Sequence, residues 1–129
     1  MTSPQIPISW GELLDKITIL QIKFENLTSQ DALNNVALEL KQLQSIFSQS
    51  CPKAIKLKQL ELELKKINQK LWDIEDKIRD KEKHKSFDDE FIQLARSVYI
   101  TNDERSRIKR RINKTFGSDL IEEKSYSEY

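Results

Sequence analysis

The chain has 129 residues, of which 22 are basic and 21 acidic, for a net charge of +1; that length suits one domain with a real core but not two. Charged residues make up 33% of the chain, against two glycines and three prolines, a composition that favours long helices over sheets or disorder. The even charge balance demands neither nucleic acid nor an anionic membrane, and one cysteine (Cys51) with one histidine (His84) leaves no internal disulfide and no Cys/His zinc site.

Residues 1–8 read as an extended N-terminal arm. They carry no basic residue and no long apolar core, so they do not read as a signal peptide. No apolar run approaches a membrane span. The expected setting is the cytoplasm. Ser9 and Glu12 then form a capping box for the first helix, with Ile8 placed to staple onto Leu13. Leu13, Ile17, Leu20, Phe24 and Leu27 continue it at spacings of four and three. Thr28 or Ser29 caps a second helix with the stripe Leu33, Val36, Leu40, Leu43 and Phe47. Pro52 suits the first turn of a third helix, whose heptad seam is Leu57, Leu60, Leu64, Ile67, Leu71, Ile74 and Ile78. Ser86 with Asp89 is expected to cap a fourth helix, and Gly117 to end it. Residues 118–129 form a short acidic tail.

The fold expected is all-α: one domain over 1–129, an antiparallel four-helix bundle with a long hairpin formed by helices three and four. At roughly thirty residues these two would be about 45 Å long, against about 30 Å for the first two. Folding the chain at its turns sets Trp72 opposite Tyr99 and Glu75 opposite Arg96, and ends the shared packing near Trp72 and Tyr99. Asp73 to Val98 would then continue as a two-helix arm with Ile74, Ile78, Phe91 and Leu94 inside. Such a thin arm favours a homodimer or a protein partner.

The fourth helix carries the main functional signal. Its stripe Phe91, Leu94, Val98 resumes at Ile108 and Ile112, but Thr101 or Asn102 and then Arg105 interrupt it. A charge on a packing face costs several kcal/mol unless paired, so either the stripe lines a polar pocket or it meets an acidic partner. A second stripe on helix three (Asn68, Trp72, Glu75, Arg79, Glu82) faces that interruption. Trp72, Glu75, Arg79, Arg96, Tyr99, Asn102 and Arg105 are therefore the candidate ligand-binding residues. Guanidiniums there would clamp the phosphate or carboxylate of a small anionic ligand while the rings pack on its apolar or sugar part. The same residues also fit a purely structural account, with Glu75 paired to Arg79 within its helix or to Arg96 across, and Trp72 in the core.

Other signals are weaker. Asp73, Asp76 and Asp80 share a face that would suit magnesium, but Lys77 and Lys81 interleave, so a solvated surface explains them and no metal or cofactor is expected. The six basic residues among Arg105–Lys114 lack interleaved aromatics, and Glu122 and Glu123 of the tail can fold over them, so nucleic acid is not expected. No glycine-rich phosphate loop or nucleophile–histidine pair is present, and no catalytic residue is identified.

Several segments nevertheless form a distinctive set: Ser9–Leu20 (SWGELLDKITIL), Leu71–Arg79 (LWDIEDKIR), Leu94–Tyr99 (LARSVY), Asn102–Arg105 (NDER), and Gly117-Ser118 with Glu122–Tyr126 (EEKSY). Across nearly the whole chain they resemble a bacterial family of small uncharacterised proteins, a domain of unknown function. The resemblance supplies no mechanism; it implies a setting among glycosyltransferases and surface-polysaccharide genes. A fainter similarity is to the all-helical chorismate mutase, where Lys16, Arg79, Arg96 and Arg105 would take the dianion, although the helix order differs. The alternative to a ligand site is a non-catalytic interaction or adaptor module acting through the long hairpin.

Overall fold

A computed structural model describes residues 2–51 and 57–129. The expected Pro52 start of the third helix lies outside those residues. Four helices follow one another: α1 (Trp10–Asn26), α2 (Gln30–Ser50), α3 (Leu57–Lys83) and α4 (Asp89–Phe116). They pack as an all-α bundle dominated by the long α3/α4 hairpin.

Local sequence accounts for most helix ends. Ser9 Oγ accepts the Glu12 amide at 3.2 Å, as a capping residue should. The reciprocal half of the box is replaced, because the Glu12 carboxylate takes the Lys109 ammonium at 2.9 Å. Ser29 caps α2 through the Ala32 amide. At α4 the cap is Asp88 rather than Ser86: Asp88 Oδ1 accepts the Phe91 amide at 3.0 Å. The Ser86 amide instead closes the preceding turn onto the Lys81 carbonyl, and Lys81 draws Asp88 and Glu90 together at 2.9 Å each. Gly117 ends α4 in the left-handed region, φ 64°, with the Ser118 amide reaching back to the Asn113 carbonyl.

The helix at the centre is α1. Contacts fall steadily along α4 as they rise along α1, from Gly11–Asn113 through Glu12–Lys109 to Asp15–Arg105, so the two run antiparallel. Leu14 turns toward α3 and α4 and joins Leu57, Leu60, Leu64, Ile108 and Ile112 in the core cluster, closed at one end by Trp10, Phe47 and Phe116. Trp10 stacks on Phe116 at 4.9 Å and meets Phe47 edge-on at 6.1 Å. Each fully buried leucine there contributes about 1.5–3 kcal/mol. On its other side α1 packs on α2, which lies along α1 and along neither α3 nor α4. Only Phe47 and Cys51, at its end, reach the cluster.

This arrangement shortens the expected two-helix arm. Ile74 is already buried, and Lys23 in the last turn of α1 lines the same cavity as Asp76 and Arg79. The end of α1, not of α2, sets where the hairpin begins to stand alone.

Candidate functional site

The interruption in the α4 stripe meets an acidic partner, and that partner is on α1. The Asp15 side chain is 2% exposed. Arg105 Nε donates to its Oδ1 at 2.9 Å, and Nη2 donates to Oδ2, a side-on bidentate pair. Asn68 of α3 gives its amide to Asp15 Oδ1 and to Thr18 Oγ1, both at 2.9 Å. Thr18 passes its own hydroxyl to the Asp15 carbonyl at 3.0 Å. One turn along α4, Lys109 bonds Glu12 at 2.9 Å and Glu122 of the tail at 3.0 Å, and lies 3.7 Å from Asp15. Three helices thus converge on one buried carboxylate, and the tail joins them through Lys109.

The electrostatics follow from these contacts. Donating to the Asp15 carboxylate raises the Arg105 pKa above its ordinary value despite burial. Burial pulls the Lys109 ammonium down, but hydrogen bonds to Glu12 and Glu122 outweigh it and the net direction is up. Glu122 is held below the ordinary carboxyl range by Lys109 first and Lys124 second.

Just outside this network lies a cavity of about 490 Å³ between the last turns of α1, the middle of α3 and α4. Five of the seven candidate residues line it: Trp72, Glu75, Arg79, Asn102 and Arg105. Tyr99 does not; it lines a neighbouring cavity of about 700 Å³ under the tail, which shares Asn102 and Arg105 with the first, and its ring meets Tyr129 at 5.2 Å. Arg96 borders neither cavity. Its guanidinium is exposed and reaches only Gln93, at 3.5 Å. Glu75 pairs with Arg79 at 3.0 Å within α3, not with Arg96 across the hairpin, since a partner one helical turn away needs no match between helices. Lys16 is exposed beside α2, so a dianion clamp built from Lys16, Arg79, Arg96 and Arg105 does not assemble.

Charges around the cavity are largely matched. Arg105 is committed to Asp15 and Arg79 to Glu75, leaving Lys23 and Asp76 as lining groups with no ion pair among the described residues. Arg105 keeps Nη1, whose one contact is Asn102 Oδ1 at 3.4 Å. The lining therefore offers two cationic donors, the Asn102 amide, the indole of Trp72 and the Asp76 carboxylate as an acceptor, while both Asn68 amide hydrogens are already given to Asp15 and Thr18. Among the described residues no group of three or more His, Cys, Asp or Glu converges as metal donors, and no described helix is long and apolar enough to cross a membrane.

The tail folds back along α4. Glu122 and Glu123 pair with Lys109 and Arg110, and the Tyr129 hydroxyl donates to Asp103. Ser118 Oγ accepts the Trp10 amide at 3.1 Å and Asn113 Oδ1 the Gly11 amide at 2.7 Å, so the end of α4 caps the start of α1.

Sequence reasoning missed Asp15, Thr18, Lys109 and Glu12. A single stripe read along α1 hides them, because Asp15 and Thr18 lie on its opposite side. The available signal was the density of apolar residues in Leu13–Ile22: Leu13, Leu14, Ile17, Ile19, Leu20 and Ile22 go almost round the helix, as in one buried on two sides. An aspartate in that segment faces burial wherever it points.

No curated protein and no solved structure is significantly similar to this chain. A model for a family of unknown function (DUF6165) matches residues 4–129, and the chain belongs to that family.

Proposed function

We propose that this protein binds a small phosphate- or carboxylate-bearing molecule in the cavity between α1, α3 and α4. The observation that carries the reading is the state of the two cations there. Arg105 is oriented by a buried carboxylate with Nη1 in reserve, and Lys23 lines the same cavity with no ion pair among the described residues. A guanidinium already held in place loses little conformational freedom when it takes an anion. Trp72, Asn102 and the Asp76 carboxylate, which can accept from hydroxyl groups, favour a ligand whose remainder is a polar ring, such as a sugar phosphate or a sugar acid. That chemistry agrees with a role in surface-glycan metabolism.

Thermal unfolding with inorganic phosphate, sugar phosphates, sugar acids and neutral sugars tests it. A ligand at about a hundred times its dissociation constant adds roughly 2.7 kcal/mol of stability. Anionic sugars should raise Tm by several degrees where neutral ones do not. Lys23→Gln should abolish the response while leaving the unliganded Tm in place. Equal responses in wild type and Lys23→Gln, or none from any anion, overturn the reading.

A second reading, self-association through the arm, is favoured by its tip. Phe87 and Ile92 are more than half exposed, and the Phe87 ring meets Phe91 edge-on at 5.2 Å. Ile92→Asp should then convert a dimer to monomer in sedimentation, and a wild type that is monomeric throughout the micromolar range rules it out.

A further inference from the structure

Because α2 packs on the far side of α1, no fourth helix among the described residues covers the side of the α3/α4 hairpin that borders the end of α1, where Lys65 meets Glu25. A groove of about 1010 Å³ runs there, from Leu62 to Asp73 on α3 and from Glu104 to Arg111 on α4. Those spans correspond to about 16 and 10 Å of helix, two to three turns. Ile67 and Ile108 form its floor and Leu62, 57% exposed, its upper edge. The rim is basic. Lys65 is paired with Glu25 at 2.6 Å and Arg111 with Glu63 at 3.0 Å. Lys66, Lys70 and Arg107 have no ion pair among the described residues. Asp73, which takes a hydrogen bond from Gln69, and Glu104 are the opposing carboxylates.

We infer that this groove docks an acidic amphipathic helix of a partner protein, which supplies the fourth wall of the α1/α3/α4 core. The partner's apolar stripe seats on Leu62, Ile67 and Ile108, and its flanking carboxylates meet Lys66, Lys70 and Arg107. Long lysine and arginine stems extend the apolar floor while their heads stay at the edge. Apolar anchors set at helical spacing provide affinity in such grooves, and rim charges select the partner. The site is separate from the ligand cavity, which opens between α1 and the hairpin, so the two proposals stand or fall independently.

The probe is a lactam-bridged helical peptide of about five turns with leucines at i, i+4 and i+7 and glutamates flanking them, compared with its lysine counterpart on the same leucine stripe. Fluorescence anisotropy should give at least about tenfold tighter binding of the acidic peptide, narrowing as salt rises. Leu62→Glu should weaken it about tenfold or more, and Lys66→Glu with Lys70→Glu should reverse the peptide preference. Leu62 and both lysines are exposed, so these variants keep the fold, which circular dichroism verifies. Equal affinity for the two peptides, no binding of the acidic one, or wild-type binding by Leu62→Glu overturns the inference. Self-association that Leu62→Glu abolishes also overturns it, and assigns the groove to a second copy of this chain.

Discussion

Arg105→Ala tests why α4 carries a charge on its packing face. The substitution removes both guanidinium hydrogen bonds from Asp15. It leaves that carboxylate, 2% exposed, with the Asn68 amide at 2.9 Å and the Lys109 ammonium at 3.7 Å. Stripping one partner from a buried ion pair costs about 3–5 kcal/mol. Lys109 stays near, and the Arg105 side chain is itself 27% exposed; the lower end, about 3 kcal/mol, is therefore expected. In a domain of this size that lowers Tm by roughly 8–14 °C. Urea unfolding followed by far-ultraviolet circular dichroism measures it, with the slope against denaturant unchanged. Arg96→Ala is the control: its guanidinium is exposed and has one long contact, so the change should stay within about 0.5 kcal/mol. Asp15→Asn and the double variant close a cycle whose coupling should be about 2 kcal/mol. A loss below about 1 kcal/mol for Arg105→Ala, or equal losses for Arg96 and Arg105, would refute this account of the buried pair.

Two further outcomes follow from particular contacts. Gly11→Ala would set a Cβ 2.6 Å from the Lys109 carbonyl oxygen and 2.8 Å from Asn113 Oδ1; α4 must shift, and despite alanine's better helix propensity a net loss of about 1–2 kcal/mol is expected in thermal melts. Glu122, held below the ordinary carboxyl value of 4.5, contributes stability above that pH and loses it as pH falls through its lowered value. The tail should therefore release only below about pH 4.5, seen by NMR as a shift of the Tyr129 ring protons when that ring leaves Tyr99; release well above that pH would mean that Glu122 does not hold the tail.

How much of this was legible beforehand depends on which contacts are local. The α3 seam from Leu57 to Ile78, the α2 stripe from Leu33 to Phe47 and the stop at Gly117 arise within one helix or its cap, so residue spacing alone marks them. The break in the α4 stripe was equally visible, and with it the need for either a pocket or an acidic partner at Arg105. Which carboxylate answers Arg105 was not legible, because Asp15 lies 90 residues away. Matching helices around turns assumed that α2 shares the packing of the hairpin. With α2 displaced behind α1, five of the seven candidate residues still meet at one cavity, since all five lie on α3 and α4, whose mutual register the short turn at Lys85 sets. Arg96 and Tyr99 are on α4 too but fall away, Arg96 because its guanidinium is exposed beside Gln93 and Tyr99 because its ring meets Tyr129 of the tail.

Helix identity, length and apolar faces were thus determined by the sequence itself, through backbone propensity and burial at periods of three and four. Only the tertiary structure decided which helix is central. That choice depends on how several apolar faces of similar strength are shared among four helices, a competition that no single segment encodes. It put Asp15 in the core, drew Arg105 and Lys109 to it, and left one face of the hairpin without a fourth helix.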